Sequence, residues 1–276
     1  MVLLSTDPAV KRTIWGESMP EVEGIVRKAP WVTVRQESVA DCTAIMRSVG
    51  QGEQPIVLVH GIGVSARYFE PLAAELARTS TVYAIELPGF GGTPGPRRAL
   101  SVPELGEIVL AVLRKLELAA VVLVGHSMGC QVAAETAARA PELVSKLVLL
   151  GPTVNDRERS IGKQALRLAQ DTLRESPKVN WVVFTDYLRS MIPYLKTLPT
   201  MMNHRLEDTL LHVSSPVVLM RGGRDPIVPA DWLGRLAEAN GHAAVIELDG
   251  APHVLMYHRP AETAQGFLAG DAHETA

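Results

Sequence analysis

The chain is poor in the features that mark several protein classes. Its 276 residues include two cysteines, Cys42 and Cys130, too few for a disulfide framework or a cysteine-based metal centre. It has no lysine- or arginine-rich run and a formal net charge of −3. Neither feature suggests nucleic acid or an anionic membrane surface as a partner. No apolar stretch approaches the roughly 18 residues of a membrane-spanning helix. The N-terminus has no basic region ahead of its short apolar run, so it does not read as a signal peptide. Metal-ligand spacing and a Walker-type loop are both missing, so no cofactor and no metal are expected. These absences leave a cytoplasmic protein acting on a small molecule, and they say nothing about its oligomeric state.

What is present is apolar and ordered. Apolar residues make up 47% of the chain, enough for one large α/β domain or a domain with an insertion. The most informative stretch runs from Val121 to Cys130. Four apolar residues lead into Gly125-His126-Ser127-Met128-Gly129, and an alanine-rich helical pattern follows to Arg139. That is a strand, a tight turn and a helix with a serine at the tip, the G-x-S-x-G nucleophile elbow. Glycines two residues either side of the serine let the backbone turn where side chains would collide. The helix behind it aims N–H groups at the reacting centre.

The rest of the chain alternates around this stretch. Residues 1–30 read as a short helical or irregular N-terminal extension. Segments 31–38 and 41–49 read as an edge hairpin. Ile56 to Val59 is a continuous apolar run, as in a parallel strand covered on both faces. Helical spacing follows at 66–78, a strand at 81–86 and a helix at 102–116. Seven Gly and Pro residues break residues 87–96. Strands recur at 120–124, 146–150, 216–220 and 243–248, with helices at 229–240 and 260–268. The rhythm fails only over 152–214, where helical patterns at 161–175 and 181–192 and pieces punctuated by Pro193 and Pro199 replace it. The expected organisation is a core of 31–151 and 215–269, a helical cap of 152–214 and a tail of 270–276. Such alternation predicts a mainly parallel sheet with helices on both faces, with ligands beyond the strands' carboxyl ends.

The chemistry is sought at those ends. A serine hydroxyl needs a base, and the base needs an acid to fix its tautomer. Of eight histidines, His253 lies in the loop after the last strand and is the candidate base. Asp225, in the turn after 217–221, is the candidate acid; Asp231 reads as a helix-start residue and Asp249 as a turn residue. Ser127, Asp225 and His253 also stand in the chain order of α/β-hydrolase triads. Acyl transfer needs donors for an oxyanion. Met128 N–H is one candidate, and the loop His60-Gly61-Ile62-Gly63 supplies the second through Ile62 or, failing that, Gly63. His60 reads as structural, His126 as orienting the elbow or bordering the pocket, Cys130 as a buried helix residue, and Arg224 as positioning its loop or pairing with a carboxylate.

Taken with Leu87-Pro88-Gly89-Phe90-Gly91, Gly223 to Pro229 and Gly250-Ala251-Pro252-His253, these motifs resemble the α/β-hydrolase superfamily in order and spacing over residues 31–269. The resemblance implies an eight-stranded, mostly parallel core, a helical cap inserted after strand six, and Ser127, Asp225 and His253 as triad. A serine at the elbow argues against the aspartate-nucleophile dehalogenases and epoxide hydrolases. Relatives with these motifs include carboxylesterases, lactonases, thioesterases, C–C bond hydrolases, cofactor-free haloperoxidases and proline iminopeptidases. A carboxylic ester hydrolase is the first expectation. C–C hydrolases carry a tryptophan after the histidine where this chain has Val254, and they require a basic residue for a substrate carboxylate, for which Arg174 and Arg189 are the candidates. A non-catalytic receptor on this fold is the remote alternative. The apolar segment with Trp181, Phe184, Leu188 and Met191, together with Val254, is the candidate pocket wall. Residues 152–214 hold nine Lys/Arg and seven Asp/Glu, a balance that points to a small or medium, mainly apolar ester.

Overall fold

In the computed structural model, residues 31–39 and 42–268 are described. The extension expected over 1–30 and the tail expected over 270–276 lie outside them. The described residues form an eight-stranded sheet in the order β1-β2-β4-β3-β5-β6-β7-β8. Its strands are β1 (Val32–Val39), β2 (Cys42–Val49), β3 (Pro55–Val59), β4 (Thr81–Glu86), β5 (Val121–His126), β6 (Val144–Leu150), β7 (Val217–Gly222) and β8 (Ala244–Leu248). From β4 to β8 all neighbours are parallel. Only β2 runs against its neighbours, closing the edge as a hairpin with β1.

The parallel strands are apolar on both faces because both are covered. Val57, Val59, Leu123, Leu147 and Leu149 face one cluster, and Ile56, Leu58, Val122, Val124 and Val148 face the other. Helices α2 (Val102–Lys115), α3 (Met128–Arg139) and α8 (Ala230–Asn240) bury their apolar sides in the first cluster. Helices α1 (Glu70–Leu76) and α10 (Pro260–Leu268) bury theirs in the second. Ser101 starts α2 with a capping box on Glu104, and Gly241 ends α8 in the left-handed region.

Four helices lie between β6 and β7: α4 (Ile161–Thr172), α5 (Pro177–Arg189), α6 (Met191–Asn203) and α7 (Leu206–Leu210). The expected helix over 181–192 is in fact split at Ser190. Pro193 does not end a helix but sits in the first turn of α6, where its missing N–H has no intrahelical partner. Pro199 is accommodated within α6. The helical spacing read at 66–78 likewise divides into a 3-10 turn, Ala66–Phe69, and α1, with Pro71 in the first turn of α1. A short helix α9 (Leu255–His258) precedes α10.

This topology sets the position of the site. After β3 the chain moves to β4 on one side and returns to β5 on the other. The crevice where the strand order reverses therefore opens between the loops after β3 and β5.

Candidate active site

Ser127 occupies that crevice in a conformation few residues adopt, with φ 55° and ψ −121°. The turn is tight because the flanking positions lack side chains. A Cβ on Gly125 would stand 2.3 Å from Gly129 O, and one on Gly129 2.2 Å from Val59 O. The backbone is pinned by Ser127 N–H donating to Leu150 O at 3.0 Å. Buried Cys130 donates its thiol to the carbonyls of Gly125 and Leu150, and burial pushes its pKa well up. It is a structural residue.

Asp225 and His253 meet at the carboxyl ends of β7 and β8. His253 Nδ1 lies 2.7 Å from Asp225 Oδ2. The other carboxylate oxygen accepts from the N–H groups of Ile227 at 2.8 Å and Val228 at 3.2 Å. These bonds leave Asp225 acceptor-only and direct the proton of the neutral imidazole to Nδ1, so Nε2 carries the lone pair. Arg221, rather than Arg224, holds this turn, donating to the carbonyls of Val228 and Asp225. Burial opposes a charge on His253, but Asp225, Asp171 and Glu175 outweigh it and raise its pKa to about 9.

Ser127 and His253 line one cavity of about 340 Å³, within the usual range for small-molecule sites. No hydrogen bond joins the two side chains in this structure; such bonds commonly tighten only with substrate bound.

A second network, unread from the sequence, links three loops of the site. Gly61 N–H donates to Tyr68 Oη at 2.8 Å. The Tyr68 hydroxyl then donates to His126 Nδ1 at 2.9 Å, and His126 Nε2–H donates to His253 O at 3.1 Å. Burial and the neighbouring His253 push the His126 pKa well down, so it is a neutral strut. His60 is another, with Nδ1–H donating to Gly61 O and Nε2 accepting from Leu87 N–H. Tyr68 gave no sequence signal because it falls on a helix-patterned stretch. With Gly61 N–H engaged, the N–H groups of Ile62, Gly63 and Met128 have no acceptor among the described residues. Ile62 lines the cavity. Gly63 is not among the lining residues, and a Cβ there would strike Tyr187 at 2.5 Å.

The segment between β6 and β7 also reaches the candidate base. Asp171 Oδ1 accepts from His253 N–H at 3.1 Å, and Glu175 Oε1 from Val254 N–H at 2.9 Å. The second Glu175 oxygen faces His258 Nε2. Burial, reinforced by Glu175 and Asp225, raises the Asp171 pKa to about 7 against the attraction of His253. The pair's spacing of four residues on a helical pattern was the available sequence signal.

Of the expected pocket residues, Val254 lines the cavity. Trp181, Phe184, Leu188 and Met191 do not; each is more than half exposed. The helical period explains the correction. On α5 it turns Val179, Val183 and Tyr187 inward to the cavity, and 181, 184 and 188 fall on the opposite side. Tyr194, Leu198 and Met201 are the cavity-lining residues of α6. Neither Arg174 nor Arg189 reaches the cavity, and its lining contains no lysine or arginine.

The model of the alpha/beta hydrolase family matches residues 56–265. An uncharacterized hydrolase of Bacillus subtilis, YugF, is 38% identical over 76% of this chain and 86% of its own length. The dihydrolipoyllysine-residue acetyltransferase component of the acetoin cleaving system of Pseudomonas putida is 28% identical over 80% of this chain. The match spans 64% of that relative's own length, so the chain corresponds to part of it. A crystal structure of a membrane phospholipase A, a bacterial virulence factor, superposes with a TM-score of 0.75 at 22% identity, covering 89% of this chain and 87% of the other. At that identity the superposition shows a shared fold. Among the described residues no helix is long and apolar enough to cross a membrane.

Proposed function

The chain belongs to the alpha/beta hydrolase family and is a hydrolase; from that premise we propose that it is a serine hydrolase cleaving a small to medium, mainly apolar carboxylic ester. The observation that carries this reading is Ser127, held in a strained turn at a cavity it shares with the Asp225-bound His253. In the proposed mechanism His253 Nε2 takes the Ser127 proton as Oγ attacks the ester carbonyl. The N–H groups of Met128 and Ile62 receive the oxyanion. His253 then protonates the departing alkoxide, and water admitted to the same base releases the acid. Asp225 holds the tautomer and stabilises the imidazolium. The helical segment 152–214 acts as a cap, and Val183, Tyr187, Leu198 and Val254 form the apolar wall.

The lining also speaks against the C–C hydrolase alternative. That reaction calls for a cation to hold a substrate carboxylate, and the cavity instead presents Asp171 and Glu175. A panel of p-nitrophenyl esters of graded acyl length tests the main reading. Turnover is expected for short and medium chains, together with fluorophosphonate labelling that disappears in Ser127→Ala. Folded protein that turns over no ester and takes up no label refutes it.

A further inference from the structure

The outward side of α4 to α6 has a composition that the residue count conceals. Residues 161–200 contain six lysines and arginines and three acids. All three acids are buried against the core. Asp171 and Glu175 grip the loop of His253, and Asp186 accepts from Ser65 Oγ and Arg67 Nη1, both at 2.6 Å. Of the cations, Arg167 pairs with Glu158. Lys163, Arg174, Lys178, Arg189 and Lys196 are exposed. The surface of this stretch thus shows five cations and no exposed carboxylate.

The same stretch carries nine of the twelve exposed large apolar side chains among the described residues. Trp181, Phe184 and Leu188 recur at i, i+3 and i+7 along α5 and are 65%, 54% and 55% exposed. Met191, Ile192 and Leu195, at i, i+1 and i+4, form a second exposed apolar stripe on α6. Lys178 and Arg189 sit beside the first stripe on the helical period and Lys196 beside the second. Ordinary monomers scatter such residues singly; a concentration of them marks an interaction site.

We propose that this outward face is a peripheral docking surface for an anionic lipid bilayer. The apolar stripes enter the boundary between headgroups and acyl chains, and the flanking cations lie among the phosphates. A second copy of the chain fits less well. Two-fold pairing through this face would set five cations against the same five. An anionic lipid surface complements both the apolar and the cationic component. The absence of a lysine- or arginine-rich run suggested no anionic membrane partner; a face whose acids are buried and whose cations are exposed argues otherwise. The surface lies on the outside of helices whose inner sides line the cavity, and it does not depend on which bond Ser127 cleaves.

Vesicle flotation of the full chain tests it, using phosphatidylcholine alone and phosphatidylcholine mixed with phosphatidylglycerol. The chain is expected to float with the mixed vesicles only, and to be released as salt screens the cations. Lys178→Glu with Lys196→Glu is expected to weaken partition by more than about tenfold, since each cation near such a surface is worth about fivefold. Its melting temperature and its turnover of a soluble ester should not change. Trp181→Ser with Phe184→Ser is expected to weaken partition at low salt, where the parent binds, with an unchanged circular dichroism spectrum. Equal binding to both vesicle types, or binding to neither, overturns the proposal. So does a dimer in solution that dissociates in the Trp181→Ser, Phe184→Ser variant, because it assigns the face to a second copy. If no ester is turned over, melting still reports folding and the flotation result stands.

Discussion

Replacing Asp171 with asparagine isolates the influence of the helical segment on the proposed base. The asparagine carbonyl can still accept from His253 N–H, which Asp171 does at 3.1 Å, so the loop keeps its anchor and loses only a charge. A carboxylate one hydrogen bond from the His253 backbone lies within about 6 Å of its ring, and at an effective dielectric near 20 the attraction is about 2–3 kcal/mol. Water in the cavity screens part of it, which leaves a shift of about one unit. The sign is set by the imidazolium. Asp171 stabilises it and helps raise the His253 pKa to about 9, so removing that charge lowers the pKa. Because the base must be neutral to accept the serine proton, the ascending limb of kcat/KM moves to lower pH. At a pH between the two limbs the variant is expected to outpace the parent by up to about tenfold. The assay is a pH profile of kcat/KM on a soluble p-nitrophenyl ester. A limb that stays in place or moves upward refutes the coupling. Stability supplies a second readout. The folded pKa of Asp171, about 7, lies above its ordinary 3.8, so its ionisation costs native stability progressively as pH rises from the unfolded to the folded value. The melting advantage of Asp171→Asn over the parent should therefore grow across that window and vanish below it.

Tyr68→Phe removes the hydroxyl between Gly61 N–H and His126 Nδ1; a loss of about 1–3 kcal/mol in denaturant unfolding is expected from the orphaned buried groups, with kcat falling more than KM changes. Gly129→Ala places a Cβ 2.2 Å from Val59 O, and calorimetry should show destabilisation by at least about 1–3 kcal/mol. Asp186→Ala deprives Ser65 and Arg67 of their shared acceptor, and limited proteolysis should cut the α5–α6 region faster than in the parent.

Much of the core was legible because its signals are local and repeated. The apolar runs of β3, β5, β6 and β7 read as strands covered on both faces, and they are buried throughout apart from the ends of β3 and β6. Gly125 and Gly129 announced the turn at Ser127, since contacts at 2.2–2.3 Å admit no side chain at either position. The place of Asp225 and His253 followed from strand ends alone, and their 2.7 Å approach is a consequence of β7 pairing with β8. The helical segment was read less well, for a physical reason. An apolar residue on a helix signals a face, but not whether that face meets the core or the solvent. Trp181 and Val183 are both apolar neighbours on α5, and only the second lines the cavity. Asp171, Glu175 and Tyr68 act through partners more than fifty residues away, on backbone N–H groups or a ring nitrogen, and no local pattern encodes such a pairing.

The anchoring of residues 253 and 254 has a consequence for how such proteins diverge. The acceptors for these two N–H groups are Asp171 and Glu175, in the very segment whose inner surface shapes the cavity. The cavity wall and the loop of the proposed base are therefore not separate modules. A segment grafted from a relative to change the substrate would bring a new wall and, unless it carried carboxylates at these two places, leave the N–H groups of His253 and Val254 without these acceptors. Substitutions in α4 that widen the cavity are constrained by a requirement unrelated to fit.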